Sequence, residues 1–146
     1  MAIKFLPMAL FVLGLASISI AADPIADLSA CDFSGRSLIG IDLSGCSLAD
    51  TYMLRGVIAG GRFVNTNLSR ADLTGAAAEG CDFTNADLSG TRLLGASLRG
   101  ATFRNTQLKG ADFSNSDLFN TVFDGAHDLP PSAMEAVERR IGFKPE

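Results

Sequence analysis

The side chains in this chain that could do chemistry are few and widely spaced. His127 is the only histidine among the 146 residues, and Cys31, Cys46 and Cys81 are the only cysteines. A catalytic triad or a zinc site needs several such groups at matched spacings, and the sequence offers no second histidine to complete one. We therefore predict no catalytic residue, no cofactor and no metal site, and we interpret His127 as a surface loop residue.

Eight aspartates recur at one position of a regular pattern, and paired carboxylates can hold calcium or act as acid and base. They are Asp27, Asp32, Asp42, Asp72, Asp82, Asp87, Asp112 and Asp117. In two columns of residues spaced 20 apart they alternate with arginine: Asp42, Arg62 and Asp82 in one, and Asp72, Arg92 and Asp112 in the other. Opposite charges on neighbouring strands attract each other by about 0.2–1 kcal/mol. The pattern therefore predicts a solvated wall of alternating charge rather than a metal site or a catalytic pair.

The overall charge balance is mild. Twelve lysines and arginines against 16 aspartates and glutamates give a formal charge of −4. Binding to nucleic acid requires a strongly basic surface, and a mimic of DNA requires a continuous acidic one. Residues 26–125 instead carry 11 acidic and 8 basic side chains that are interspersed. We therefore predict one modest domain with no nucleic-acid partner.

Residues 26–125 divide into 20 consecutive pentapeptides with one fixed pattern. The central residue is Leu in eleven units and Phe in six, and with Met53 and Ile58 it is large and apolar in 19 of the 20. The residue two before the centre is small in 18 units, and the residue two after it is Gly in eleven and Asn in five. A period of five fits neither a helix nor an ordinary strand, so it indicates a repeat architecture.

A short extended segment that turns a corner at its fifth residue explains this period. Alternation directs the small residue and the large centre inward, and Gly or Asn suits the corner because both tolerate positive backbone dihedrals. Positions four pentapeptides apart match best, since Phe63, Phe83 and Phe103 fall in one column. The pattern predicts an all-β fold, a right-handed quadrilateral parallel β-helix of about five coils and roughly 24 Å in length.

The units ADLTG at residues 71–75 and CDFTN at residues 81–85 resemble those of the pentapeptide-repeat protein family. The resemblance covers residues 26–125 and implies the same quadrilateral β-helix, usually without enzymatic activity, so we predict that the chain is not an enzyme. The resemblance also makes two properties of the family relevant. Some members mimic DNA and protect gyrase from quinolones, and members that dimerise often do so through C-terminal helices.

Several units depart from the pattern, and we expect local irregularity there. Arg36 and Ile41 occupy inward positions, so we expect a distorted first coil or an Arg36 side chain that escapes to solvent. Gly56 and Gly61 predict an irregular second coil. Ala78 is the one small centre, and it predicts a cavity or a dent in the core.

The N-terminus has the features of a secretory signal peptide. Lys4 provides a positive charge, an apolar stretch follows, and small residues precede a cleavage point after Ala21 or Ala22. The apolar stretch is short for a membrane span. We therefore predict an exported protein, periplasmic or extracellular, with no stable membrane anchor after cleavage.

The C-terminal residues break the register after Gly125. Ser132 and Glu135 form a capping-box pattern after two prolines, and the residues from Ala133 to Ile141 favour a short helix. We predict that this helix closes the last coil as a lid, and a dimer contact through it is the alternative. The predicted domains are a signal peptide over residues 1–22, the pentapeptide-repeat β-helix over 23–129, and the capping helix and tail over 130–146.

The three cysteines all occupy small inward positions, and no two of them share a column. An oxidising compartment would permit a disulfide, yet this placement keeps the sulfurs apart. We predict buried, unpaired thiols that act as small apolar side chains.

Apolar side chains at outward positions are the most functional-looking feature of the sequence. We predict a partner surface formed by Ile39, Val57 and Phe119 on one side of the coil and by Tyr52, Leu54 and Leu94 on the next.

The leading hypothesis is a non-catalytic extracytoplasmic rod that serves as a scaffold or binds an unknown protein partner, as a monomer or a dimer. Two alternatives stay open. One is a topoisomerase-binding DNA mimic, if the chain is not exported, and the other is an exported enzyme or metal-binding protein with an unrecognised site.

Overall fold

The computed structural model describes residues 27–135. The signal peptide predicted for residues 1–22 and the part of the predicted C-terminal helix beyond Glu135 lie outside the described residues.

Parallel backbone bridges organise the described chain. Each bridge joins the residue before a pentapeptide centre to the equivalent residue four pentapeptides later. Seventeen of them follow one another, from Asp27 with Ser47 to Gln107 with His127, and each is a single bridged residue rather than a longer strand. Every bridged residue up to Val122 is followed two positions later by a two-residue turn. Each coil therefore consists of four short sides, which confirms the predicted four-sided β-helix.

Backbone hydrogen bonds join each side to the sides above and below it. The N–H of Tyr52 donates to the carbonyl of Cys31 at 2.9 Å, and the N–H of Met53 donates to the carbonyl of Asp72 at 2.7 Å. A turn bond closes each corner, as where the N–H of Gly56 donates to the carbonyl of Met53 at 3.0 Å. Each coil is therefore held by its neighbours, as in other solenoids.

Every fifth residue turns the corner with a positive φ, as the sequence predicts. All 20 positions from 30 to 125 have φ between 53° and 75°, and eleven of them are glycine. Asn65, Asn85, Asn105, Asn115 and Asn120 supply five more. The left-handed region costs little for Gly and is tolerated by Asn, so the corner selects these two types.

The large central side chains fill the interior in columns. Phe63, Phe83 and Phe103 are fully buried, and neighbouring rings in this column stack with centroids 5.2 and 4.9 Å apart. Phe123 continues the stack at 5.2 Å from Phe103. The small residues two positions earlier, such as Ala71, are buried beside them. The inward and outward positions are therefore those that the sequence predicts.

The second coil is regular, which corrects the expectation from Gly56 and Gly61. Bridges and turns run through residues 51–65 without interruption. A Cβ atom at Gly61 would lie 2.7 Å from Cε2 of Phe63 and 2.8 Å from the carbonyl oxygen of Ile58. The glycine therefore makes room for the Phe63 ring within an ordinary coil.

The first coil keeps the same bridges and turns. Arg36 is exposed, which is the escape to solvent that we expected, and Ile41 is partly buried against the core. Ala78 is fully buried. The cavity beside it stays a prediction.

The ladder continues past Gly125, where the sequence had predicted a break. His127 pairs with Gln107, and its N–H donates to the carbonyl of Thr106 at 2.8 Å. The side chain of His127 is exposed, but the residue is part of the coil and not of a loop. Backbone pairing does not depend on the side chain, so the coil can extend beyond the recognisable repeat.

A helical segment, α1, spans 131–135. It begins at Pro131, and the N–H of Met134 donates to the carbonyl of Pro130 at 3.1 Å. Ser132 is not its cap, because it lies inside the helix as the second helical residue, and its hydroxyl accepts the N–H of Phe113 at 3.1 Å. The predicted capping box is therefore wrong: proline occupies the first helical position, where it is well tolerated. No helix within residues 27–135 is long and apolar enough to cross a membrane.

Candidate interaction surface

The eight recurring aspartates stabilise the turns. In each case one carboxylate oxygen accepts the backbone N–H of the residue two positions later, at 2.9–3.0 Å. Asn67 does the same for Ser69 at 3.0 Å. This is an Asx turn, in which a short side chain satisfies a backbone donor. The sequence signal was an Asp followed two residues later by Ser or Thr in all but Asp117, and the sequence analysis missed it.

Arginines pair with three of these eight carboxylates and with two further aspartates. Arg62 lies 3.4 Å from Asp42, and Arg92 lies 3.4 Å from Asp72, each pair joining one coil to the next. A further pair joins Arg104 to Asp124 at 3.6 Å, and two others are described below. The predicted wall of alternating charge is therefore present.

Arg70 and Asp50 form the best-aligned of these ion pairs. Nε and Nη2 of Arg70 donate to the two Asp50 oxygens at 2.8 and 2.7 Å. These hydrogen bonds lower the pKa of Asp50 and raise the pKa of Arg70. Both residues occupy corner positions, so the pair ties two adjacent corners together at the surface, where such pairs contribute little to stability.

The cysteines are free thiols, as predicted. Cys46 and Cys81 are buried, whereas Cys31 in the first coil is only partly buried. Burial raises the pKa of Cys81 to about 12, and its Sγ donates to the carbonyl of Ile58 at 3.0 Å. Cys81 is therefore a neutral packing residue. Over residues 27–135, no group of three or more His, Cys, Asp or Glu side chains is placed to hold a metal ion.

The six apolar residues of the predicted partner surface do not form one surface. Ile39, Tyr52, Leu54 and Phe119 are 64%, 51%, 36% and 48% exposed, and Val57 and Leu94 are partly buried. Ile39 and Phe119 share a column but lie four coils apart, about 19 Å along the axis. Ala59, Glu79 and Arg99 separate them in that column. Ile39, Tyr52, Leu54 and Val57 all belong to the first two coils, on the two sides that flank the Arg55 corner.

Phe119 belongs to a separate cluster near the C-terminal end. The guanidinium carbon of Arg99 lies 5.0 Å from the centre of the Phe119 ring, and its Nη1 lies 3.3 Å from Oδ2 of Asp117. Such a cation over an aromatic ring is attractive by about 0.5–1 kcal/mol at an exposed site. The Phe119 ring is therefore already engaged by this chain.

Arginines near the first two coils were missed as candidates by the sequence analysis. Of the eight basic side chains in residues 27–135, five form the ion pairs described above. The other three, Arg36, Arg55 and Lys109, have no ion pair within that part of the chain. The signal was the corner column Gly35, Arg55 and Gly75, which contains no acid beside the arginine.

A groove of about 560 Å³ lies between the last coil and α1. It is lined by residues 109–112 and 128–132, and it is open to solvent. Its walls include Leu129 and Pro131 on one side and Ala111 on the other. Leu129 also packs against the core, so the groove marks where α1 rests on the coil.

Comparisons with known proteins agree with this geometry. The profile of the family described as Pentapeptide repeats matches eight copies, over residues 26–56, 59–90, 66–105, 81–119 and 96–127. No functionally curated protein gives a significant match.

Solved structures with the same fold include a pentapeptide repeat protein from the thylakoid lumen of Arabidopsis thaliana. It is 30% identical, the match covers 87% of this chain and 82% of that one, and the TM-score is 0.67. A pentapeptide repeat protein, Rfr23, from the cyanobacterium Cyanothece 51142 is 20% identical over 74% of this chain and 87% of its own, with a TM-score of 0.46. QnrB1, a plasmid-mediated fluoroquinolone resistance protein, is 21% identical over 82% of this chain and 86% of its own, with a TM-score of 0.35.

Proteins built of these repeats fold as right-handed quadrilateral β-helices and are generally non-enzymatic structural or interaction proteins. With matches across residues 26–127 and the same four-sided coil throughout, this chain belongs to the pentapeptide repeat family.

Proposed function

We propose that the chain is an exported, non-catalytic rod that binds a protein partner through its exposed side chains. In this proposal residues 1–22 are removed on export, about five coils form the rod, and residues 130–146 close its C-terminal end. The partner is a protein, and neither a cofactor nor nucleic acid takes part.

Export is supported by two observations. The N-terminal residues combine a positive charge, an apolar stretch and small residues before Asp23, as secretory signals do. The Arabidopsis thaliana relative, 30% identical to this chain, comes from the thylakoid lumen, which proteins reach by crossing membranes.

The absence of catalysis is supported by what the polar side chains of the walls do. All eight recurring aspartates hold turns, and Asp42 and Asp72 also pair with arginine. A catalytic acid or base must be able to reach a substrate proton. Within one column these carboxylates are at least two coils apart, about 10 Å, and each already accepts a backbone N–H, including Asp112 beside the groove, so they do not provide this arrangement.

A lid at the C-terminal end is supported by the contacts of α1. Ala133 is fully buried, and the Ser132 hydroxyl accepts the N–H of Phe113 from the coil beneath. Leu129 packs against the core just before α1. A solenoid end exposes unpaired backbone groups that invite association, so covering it keeps the rod a monomer. A dimer through this helix is the alternative that a mass measurement in solution distinguishes.

The topoisomerase-binding alternative is disfavoured by the same walls. A mimic of DNA needs a continuous row of negative charge, and here Arg62, Arg70 and Arg92 each neutralise the carboxylate in the preceding coil. These arginines interrupt the acidic columns.

The observation that carries the proposal is the signal-like N-terminus. The rod that follows it uses most of its wall carboxylates and arginines in its own turns and ion pairs. The test is to fractionate the native cells and determine the N-terminal residue of the recovered protein. We expect Ala22 or Asp23 as the first residue, in the periplasmic or extracellular fraction. An intact Met1 in the cytoplasm would overturn export and restore the topoisomerase-binding alternative.

A further inference from the structure

Six side chains lie on the two sides of the first two coils that flank the Arg55 corner, and we name them the N-terminal patch. Four are apolar and two are arginines: Ile39, Tyr52, Leu54, Val57, Arg36 and Arg55. All are exposed except Val57, which is half-buried. Apolar side chains grouped in this way, with cations at their edge, are typical of a binding surface.

Backbone pairing fixes the patch in place. Leu54 and Val57 lie on the two sides that meet at the Arg55 corner. The carbonyl of Leu54 accepts the N–H of Gly35 at 2.8 Å, and the N–H of Val57 donates to the carbonyl of Arg36 at 2.8 Å. The patch therefore belongs to the rigid coil, so little order has to be gained when a partner binds.

The charges of the patch distinguish it from the rest of the rod. Arg62, Arg70 and Arg92 are each paired with an aspartate, whereas Arg36 and Arg55 have no ion pair within residues 27–135. Asp72 pairs with Arg92, and hydrogen bonds from Ser34 together with the charge of Arg36 lower the pKa of Asp32, so Arg36 already faces a carboxylate of this chain. Arg55 is therefore the guanidinium of the patch that is available to an external anion.

We propose that the N-terminal patch binds an acidic, aliphatic segment of a partner protein. This inference rests on the proposed function and names its partner by chemistry. Arginine holds a carboxylate with two parallel hydrogen bonds, and Tyr and Arg are the residue types that contribute most at protein interfaces. Aliphatic side chains of the segment would lie on Leu54, Val57 and Ile39, and a carboxylate of the segment would reach Arg55.

A membrane surface and a second copy of this chain fit the patch less well. The patch spans two coils, about 10 Å along the axis, and it lies on two sides that meet at a corner, whereas a bilayer presents one flat surface. A second copy would have to offer a carboxylate that no arginine holds, and its Asp42, Asp50 and Asp72 already pair with arginines of the same chain.

The patch contains its own optical reporter. Tyr52 is the only tyrosine, and the chain has no tryptophan, so its intrinsic fluorescence reports on the patch alone. The probe is a synthetic peptide of alternating Leu and Glu without aromatic residues, titrated into the purified full chain. Two comparison peptides replace Glu by Lys or Leu by Ser. We expect a saturable change in Tyr52 emission with the Leu–Glu peptide only.

Matched variants separate the patch from the rest of the wall. Arg55→Gly and the control Arg70→Gly both remove a guanidinium from a corner with φ of 53° or 58°, which glycine adopts without strain. Leu54→Ser and the control Leu94→Ser lie in one column, where Ser34 and Ser114 occupy the same register. We expect Arg55→Gly and Leu54→Ser each to weaken binding roughly tenfold, and both controls to bind as the parent does.

Several results would overturn this inference. They are no binding of the Leu–Glu peptide, equal binding of the Lys peptide, and equal effects of the patch variants and their controls. Self-association that Arg55→Gly abolishes would assign the patch to a second copy. Binding to phosphatidylglycerol vesicles, lost in the same variants, would assign it to a membrane. Because the titration uses purified protein, its outcome is independent of whether the chain is exported, and failure here leaves the proposed function standing.

Discussion

The phenyl ring of Phe83 lies over that of Phe63 from the preceding coil, with 5.2 Å between the ring centroids and 16° between the ring planes. On its other side the ring of Phe103 lies at 4.9 Å and 14°. A side chain that is stacked on both faces is surrounded by atoms that cannot easily move into its place. The column therefore carries a large share of the contacts between coils.

Phe83→Ala should lower the free energy of unfolding by about 3–5 kcal/mol, because it removes two ring contacts and leaves a cavity. Phe83→Leu keeps most of the volume and should cost less than about 1.5 kcal/mol. Urea unfolding followed by circular dichroism measures both. Equal and small losses in the two variants would contradict the stacked column.

Gly61→Ala should also destabilise the protein, by about 1–3 kcal/mol, because the new methyl group would meet the Phe63 ring at 2.7 Å. Gly56→Ala is the comparison variant: its nearest contact, 3.1 Å to the carbonyl oxygen of Met53, is also tight but involves no ring, so we expect a smaller loss of stability. Thermal melting compares the two. A Gly61→Ala protein as stable as the parent would show that the Phe63 ring has room to move.

Stability should fall in acid through the turn carboxylates. Hydrogen bonds from Ser44 and Ser114 hold the pKa values of Asp42 and Asp112 below the ordinary 3.8. A lowered folded pKa means that the contribution is complete above the unfolded value and is lost as the pH falls through the folded one.

The acid effect can be assigned by substitution. Asp42→Asn and Asp112→Asn keep an oxygen that accepts the turn N–H, as Asn67 does, but cannot titrate. The double variant should lose less stability than the parent between about pH 5 and pH 2, measured by urea unfolding at each pH. Identical pH profiles would show that these two turns do not contribute.

The thiols should differ in reactivity. Cys81 is buried with a pKa raised to about 12, and Cys46 is buried beside the core, whereas Cys31 is only partly buried. With an aromatic disulfide reagent at pH 8, one thiol should react in the folded protein and all three in denaturant. Rapid reaction of Cys81 in Cys31→Ser would contradict its placement inside the coil.

The core was predictable because the repeat itself encodes it. Around Phe83 the repeat has a small residue two positions before the ring and a corner residue two positions after it. The alternation of a strand then predicts which side chains point into the core and which point to solvent. Gly61 was misread because an inward glycine and a broken coil look alike in sequence. The distinction depends on the Phe63 ring, whose orientation is set by its neighbours in space.

The candidate surface was only partly predictable. Exposure of Ile39 and Tyr52 follows from their outward register, but their separation from Phe119 depends on the number of coils between them. The availability of Arg55 depends on its neighbours in the coils above and below, which are Gly35 and Gly75. His127 pairs with Gln107 through its backbone, and backbone pairing does not depend on the residue type, so the sequence could not predict it.

Nuclear Overhauser contacts in the labelled protein test the four-sided coil most directly, because every assignment of sides, columns and patch depends on it. The account predicts contacts between the backbones of Val57 and Ala77 and between the rings of Phe63 and Phe83. Contacts at the three-pentapeptide spacing of a three-sided coil, or the short-range pattern of a helix over residues 51–85, would contradict it.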